Sequence, residues 1–577
     1  MDYLRMGMGL KNLSHEIKGA IRQELDDWQE LNKVDRMWQG DATLWTNKDE
    51  SNWIGWLVVP ILEISEVQRI LSLAADIVQK DFQQIVLLGM GGSSLCPDVM
   101  TKTFGKIEDY PILQILDSTD PAQILKVEKN INFEKTLFIV SSKSGKTLEP
   151  NILKEYFYSR LQTKLGKQEV GDQFVAVTDP GTALEMMAKK DGFKDIFYGL
   201  PSIGGRYSAL SNFGMLPSGL MGINIKKFLL QTEQMIGACL PAVSVHENPG
   251  ANLGIHLGIC AKYGKDKVTI VASPKLEFLG AWLEQLLAES TGKEGKGLIP
   301  VDREPLGSPE VYGKDRVFVY IGLVNDVDSD QDKLMSKLEH EGHIVIRLQL
   351  NSIEQLGAEF FRWEVATAVA GSVIGINPFD QPNVEGSKVR TIELTSQFEQ
   401  GQNIPRPKQL AADSELQLFT DEKNLQTIQQ HITAEAKLEN YLAAYLNQIK
   451  LGDYVDISAF IENSNENFVL LQQIREIIRD AKKVATCLGF GPRFLHSTGQ
   501  VYKGGPNTGV FLQLTAEYTD DIQVPGHKYT FGTVIAAQAQ ADFEVLSARS
   551  RRILQINLGK NISQSLQHLF ELIRRAL

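Results

Sequence analysis

Short apolar runs alternate with stretches of helical periodicity along most of the chain. Positions 85–88, 112–116, 137–140 and 174–177 are dominated by Ile, Leu, Val and Phe, and predict buried strands. Each ends in small or acidic residues, such as Gly89-Met90-Gly91-Gly92, Asp117-Ser118-Thr119-Asp120-Pro121 or Thr178-Asp179-Pro180-Gly181-Thr182. Helical stretches lie between them. This alternation predicts a doubly wound α/β domain over 61–220, with its site on the loops that follow the parallel strands.

A second α/β unit is expected over 221–394, with strands at 268–272, 317–321 and 344–348 and helices around 253–263, 278–289 and 359–373. A third, over 441–577, shows strands at 484–488, 510–514 and 553–557 and helices at 468–481 and 529–548. The run 395–440 between them is rich in Gln, Glu, Asp, Asn and Lys and carries Pro405 and Pro407. It reads as a polar linker or insertion, partly helical after residue 420. At the other end, Leu13, Ile17, Ile21 and Leu25 recur at helical spacing in an amphipathic stretch over 11–40, and Trp28, Trp38, Trp45, Trp53 and Trp56 crowd the same region. We read residues 1–60 as a helical collar packed on the core.

At 577 residues the chain exceeds one core. A formal charge of −12 argues against general nucleic-acid binding, but a few local cations suffice for an anionic small ligand. Cys96, Cys239, Cys260 and Cys487 are sparse and unpatterned, as expected of reduced thiols in a cytoplasmic protein. No apolar run is long enough to span a bilayer, and Met1-Asp2-Tyr3-Leu4-Arg5-Met6 lacks a signal-peptide core.

Two loops carry the first chemistry. Gly89-Met90-Gly91-Gly92-Ser93-Ser94 and Ser141-Ser142-Lys143-Ser144-Gly145-Lys146-Thr147 each follow an apolar strand, and the second opens a helix. Glycine admits close backbone N–H groups, hydroxyls donate, and a helix N-terminus favours negative charge, so the pair predicts one phosphorylated ligand. Gly204-Gly205-Arg206-Tyr207-Ser208 presents an Arg from a tight turn, either as a permanent charge beside a developing anion or as a surface residue of a structural loop. Glu289 lies in the last turn of a helix that stops at Gly292, where the dipole disfavours an anion and a general base is well placed. Phe379-Asp380-Gln381-Pro382-Asn383-Val384-Glu385-Gly386-Ser387-Lys388 is a proline-fixed loop with a Lys about one turn into the next helix. Gly491-Pro492-Arg493-Phe494-Leu495-His496-Ser497-Thr498-Gly499-Gln500 sets a His in a polar loop, suited to proton transfer. His340 and His343 have metal-like spacing but no evident third ligand.

Together these motifs resemble the glucose-6-phosphate isomerases, and most nearly the isomerase half of bifunctional transaldolase/glucose-6-phosphate isomerases. Arg36-Met37-Trp38, Asp41-Ala42-Thr43-Leu44-Trp45-Thr46 and Gly489 through His496 belong to that second likeness. The resemblance implies doubly wound parallel-sheet sugar-isomerase (SIS-type) domains, αβα sandwiches. It implies that Ser142, Lys143, Ser144 and Thr147, with Gly92 and Ser93, bind a sugar phosphate, and that Gly205 and Gln381 line the pocket. Glu289 would move the proton between C2 and C1, Arg206 would stabilise the cis-enediolate, and His496 and Lys388 would assist ring opening. Such a reaction needs no metal and no redox cofactor. The implied localisation is cytoplasmic, and the implied partner is a small sugar phosphate, not nucleic acid or membrane.

The motif order departs from the common isomerases, in which the His motif lies between the Glu and Lys motifs and reaches in from the other subunit of a dimer. Here the order is Glu289, Lys388, His496. Residues 400–577 are therefore expected to be a degenerate copy of the second unit that supplies the His in cis, giving a monomer; a homodimer is the alternative. A faint echo of 360–368 in 529–537 fits such a copy. A non-catalytic sugar-phosphate sensor of the same fold would not need Glu289, Lys388 and His496. A transaldolase would need a (β/α)₈ barrel of about 250 residues.

Overall fold

The computed structural model describes residues 7–8, 12–432 and 436–577; the rest of the expected collar and residues 433–435 of the expected linker lie outside the described residues. The apolar runs build three open sheets. In the first, Ile112–Leu116, Gln84–Gly89, Thr136–Ser141, Phe174–Thr178 and Asp195–Tyr198 lie side by side, all parallel. In the second, Ile299–Asp302, Lys267–Ala272, Arg316–Leu323 and Ile344–Leu350 are parallel, and the short strand Gly7–Met8 pairs antiparallel with the last. In the third, Ala485–Phe490, Tyr454–Phe460, Gly509–Thr515 and Arg552–Asn557 are parallel. The parallel core of every unit thus has the order second, first, third, fourth, with its switch point between the first and third strands. Among the described residues no sheet closes into a barrel.

Central strands such as Gln84–Gly89 and Thr136–Ser141 are covered on both faces, so they read as unbroken apolar runs. Tyr454–Phe460 was not expected because Asp456 and Ser458 interrupt its run. Both are buried, and Ser458 Oγ donates to Asp456 Oδ2 inside the sheet. The stretch 395–440 is not a linker. Helix Glu385–Glu399 runs into it, and the antiparallel hairpin Lys408–Ala412 and Gln417–Thr420 pairs with Arg552–Asn557 to extend the third sheet. Leu418 and Phe419 are buried there, so the third unit starts near 408 rather than 441.

The expected helix over 11–40 is two helices, His15–Glu30 and Lys33–Trp38, because Asn32 takes a left-handed φ of 49° between them. Ile17, Ile21, Leu25 and Trp28 form the buried stripe. Trp45 Nε1 donates to Ala368 O (2.8 Å), and its ring meets Phe379 edge-on at 5.1 Å. The collar thereby braces the loop that carries Gln381.

The echo between 360–368 and 529–537 does not mark equivalent helices. Leu356–Ile374 follows the fourth parallel strand of its unit, whereas Phe531–Ala548 follows the third. Both helices are largely buried, which makes them apolar for the same physical reason. No described helix is long and apolar enough to cross a membrane.

Candidate active site

Parallel pairing sets Gly89 opposite Ser141, so the two phosphate-type loops leave adjacent strand ends. Gly92 sits against the Arg206 turn: a Cβ there would lie 1.9 Å from Gly205 O. Ser208 Oγ donates to Gly92 O (3.3 Å), tying the turn to the first loop. In the second loop Ser142 Oγ donates to Thr147 Oγ1 (3.3 Å), and Ser144 Oγ accepts from Lys146 N (3.3 Å). Lys143 is occupied: its ammonium pairs with Asp179 and donates to Leu200 O (3.0 Å). Burial pushes that lysine below its ordinary value, against the pull of Asp179. The hydroxyls of Ser144 and Thr147 still have protons to donate to an anion at the start of the helix that follows.

Arg206 is 1 % exposed and organises the second side of the site. Its Nε donates to Ser290 Oγ (2.7 Å), Nη1 to Gln381 Oε1 (2.9 Å), and Nη2 to Pro378 O (2.8 Å) and Asp380 O (3.0 Å). Nη1 also stands 3.6 Å from Glu289 Oε1. A fixed positive charge therefore faces the carboxylate that the helix end, Leu279–Thr291, would otherwise disfavour.

His496 reaches the same cleft from the third unit. The Gln285 amide nitrogen donates to both Glu289 Oε2 (3.0 Å) and His496 O (2.8 Å). Gly91, at φ 55°, lets this crossing pass: a Cβ there would lie 2.8 Å from His496 O. His496 Nε2 bonds Glu149 Oε1 (3.0 Å), and Gln538 Nε2 donates to the same oxygen (2.6 Å). Burial, the largest influence, raises Glu149, but the charge and hydrogen bond of His496, with the charge of Lys388, outweigh it and hold the carboxyl below its ordinary value. The imidazole Nδ1 has no hydrogen-bond partner among the described residues.

The third unit is locked onto the site by polar contacts. Gln500 Oε1 accepts from Asn383 N (2.9 Å) and Val384 N (3.1 Å), while its Nε2 donates to Gly292 O (2.9 Å). Arg493 pairs with Asp117 (2.8 Å) and Asp98 (2.5 Å) of the first unit. Tyr518 OH donates to Asp120 Oδ2 (2.7 Å).

The structure thus gathers Arg206, Glu289, Gln381 and His496 directly. Lys388 stands apart, its ammonium paired with Glu385 on its own helix (2.8 Å). His343 bonds Pro309 O and His340 is exposed, so that pair does not converge. Sequence reasoning passed over Glu149, which looks like an ordinary first-turn acid, and over Gln285, one helical turn before Glu289. It also passed over Lys293, which is buried with Nζ donating to Asn377 O (2.6 Å), Asp380 Oδ1 (2.7 Å) and Asp380 O. Burial and Arg206 push Lys293 down to about 7, against the opposing pull of Asp380 and Glu289.

Residues 72–298 match the phosphoglucose isomerase family, a span that holds the phosphate loops, Arg206 and Glu289 but ends before Gln381, Lys388 and His496. The glucose-6-phosphate isomerase of Staphylococcus saprophyticus is 27% identical over 391 residues, 60% of this chain and 87% of that protein. That of Parabacteroides distasonis is 26% identical over 441 residues, 67% of this chain and 96% of that one. Among solved structures, a Chlamydia trachomatis glucose-6-phosphate isomerase superposes with a TM-score of 0.55 at 22% identity, over 65% of this chain and 85% of that one. The hypothetical protein TT0462 of Thermus thermophilus gives 0.56 at 21%, over 67% and 99%.

Proposed function

We propose that this chain is a glucose-6-phosphate isomerase, interconverting D-glucose 6-phosphate and D-fructose 6-phosphate through a cis-enediolate. The observation that carries the reading is the Gln285 amide, which joins the carboxylate of Glu289 to the backbone of His496 beneath one buried arginine. A sensor would need no such convergence.

In this reading Ser93, Ser142, Ser144 and Thr147 hold the phosphate at the N-terminus of helix Leu148–Leu165. Glu289 takes the C2 proton and returns it at C1. Arg206, held by Ser290, Gln381 and two carbonyls, needs no reorganisation to meet the enediolate oxygens. His496 exchanges a proton with the ring oxygen through Nδ1 while Glu149 holds Nε2. Lys388 contributes charge to that end of the cleft.

The acid and the base belong to one chain, so we further propose that a monomer suffices. The four buried, unpaired cysteines fit a reducing, cytoplasmic setting.

The test is conversion of fructose 6-phosphate to glucose 6-phosphate, read by a coupled dehydrogenase. Activity that falls by orders of magnitude in folded Glu289→Gln supports the reading. A parent that binds fructose 6-phosphate without turnover refutes it. Specific activity should stay constant on dilution while sedimentation reports one chain.

A further inference from the structure

The third unit repeats the topology of the first but contributes to the cleft through the loop after its second strand, Ala485–Phe490, and through Gln538 on the inner face of helix Phe531–Ala548. Its own switch point, between Tyr454–Phe460 and Gly509–Thr515, is unused by the isomerase site. In an open parallel sheet that is where ligands bind. A cavity of about 600 Å³ lies there, walled by the last residues of three strands, Phe460, Thr515 and Asn557, and by the start of helix Phe531–Ala548. The volume falls in the ~300–1,000 Å³ range of small-molecule pockets.

The place for a phosphate is already filled. Helix Phe531–Ala548 follows the third parallel strand, as Leu148–Leu165 does in the first unit. In the first unit that helix start carries Ser142, Ser144 and Thr147. In the third, Asp521 Oδ1 accepts from Gly532 N and Ile522 N, each at 2.8 Å. The carboxylate sits so close that a Cβ on Gly532 would meet its Oδ2 at 2.5 Å. An intramolecular anion takes the donors and repels a second one.

The cavity's one lining cation, Arg406, is paired with Glu517 (3.8 Å) at its rim, and beside that pair the wall offers amides and aromatic rings. Gln555 Nε2 donates to Gln513 Oε1 (2.7 Å), and Gln513 is itself held by Ala539 O (3.1 Å) and Asp542 Oδ2 (3.2 Å). The Gln555 amide is thereby fixed, with an oxygen that accepts nothing among the described residues. Gln540 donates to Glu544 (2.8 Å) and likewise leaves its oxygen open. Both line the cavity beside Phe460 and Tyr518. Fixed carbonyl acceptors and ring faces suit the hydroxyls and C–H faces of a polyol.

We propose that the third unit holds a second small-molecule site, which takes an uncharged polyhydroxylated ligand, a free sugar or polyol, and excludes its phosphate ester. Calorimetric titration of the full chain with D-fructose and D-glucitol tests this, in the parent, Gln555→Leu, Gln540→Leu and Ser142→Ala. The expected result is saturable binding that weakens about tenfold, the worth of one hydrogen bond, in either Gln variant and is unchanged in Ser142→Ala. Unaltered isomerase rates in the Gln variants show that they fold. Absence of saturable binding overturns the proposal, as does binding that depends on Ser142 rather than on the glutamines. A Gln555-dependent site that prefers fructose 6-phosphate to fructose in the parent also overturns it. In Asp521→Ala, inorganic phosphate should gain a second binding event; its absence overturns the proposed exclusion of the phosphate ester by Asp521.

Discussion

Lys293 and Arg206 donate to the same backbone oxygen, that of Asp380. Two cations from different units therefore pin the loop that presents Gln381. With Nζ shared among three acceptors, neutralising the amine leaves one of them facing a lone pair. Lys293→Met should lower kcat/KM by about 10- to 100-fold through misplacement of the loop. The descending alkaline limb that begins near pH 7 in the parent should vanish in the variant. The stability sign is also defined. The folded chain releases this proton near 7 and the unfolded chain near 10.5, so between those values the unfolded state holds more protons and stability rises with pH. Urea titrations across that window should show the slope in the parent and lose it in Lys293→Met.

Glu149→Gln keeps the size of the side chain and removes the charge behind His496. A loss of about 10²-fold in kcat is expected, within the range of one general acid–base group, with KM little changed. Glu149 is depressed, so its contribution to stability is complete above 4.5 and is lost as pH falls through its lower folded value. The parent should therefore lose more stability than the variant on acidification below 4.5, read by thermal melts.

Arg206→Lys retains a charge but cannot span Ser290, Gln381 and two carbonyls at once. The expected fall in kcat is about 10²- to 10³-fold, as for removal of an oxyanion donor. Circular dichroism should show the fold intact.

Gln500→Leu leaves two backbone amides, of Asn383 and Val384, and the carbonyl of Gly292 without a partner inside the protein. At about 1–3 kcal/mol for each group left unsatisfied, the melting temperature should drop by several degrees. KM for the sugar phosphate should rise as the Gln381 loop loosens. A variant with unchanged Tm and KM would show that water replaces the amide.

Most of the parallel strands, and the two glycine- and hydroxyl-rich loops, were legible because both are local; Asp195–Tyr198, Ile299–Asp302 and Tyr454–Phe460, short or interrupted by polar residues, were not. A strand buried on both faces must be apolar throughout, and a phosphate loop needs glycine and hydroxyls within a few residues. Glu289, Arg206 and His496 were also visible, each marked by the turn that presents it. The partnership of His496 with Glu149, 347 residues apart, is not written in any local pattern, and neither is the burial of Lys293. The hairpin at 408–420 was misjudged because an edge strand needs only one apolar face. Polar composition there says nothing about pairing.

The loop that delivers His496 has a genetic consequence. Where acid and base come from different subunits, two inactive alleles can restore one another in a mixed oligomer. On the proposed reading, in which both residues act within one chain, a chain lacking Glu289 and a chain lacking His496 each lose the cleft where the two meet. Co-expressing the two should give no more activity than either alone, so each lesion behaves as a plain recessive loss with no complementation between them.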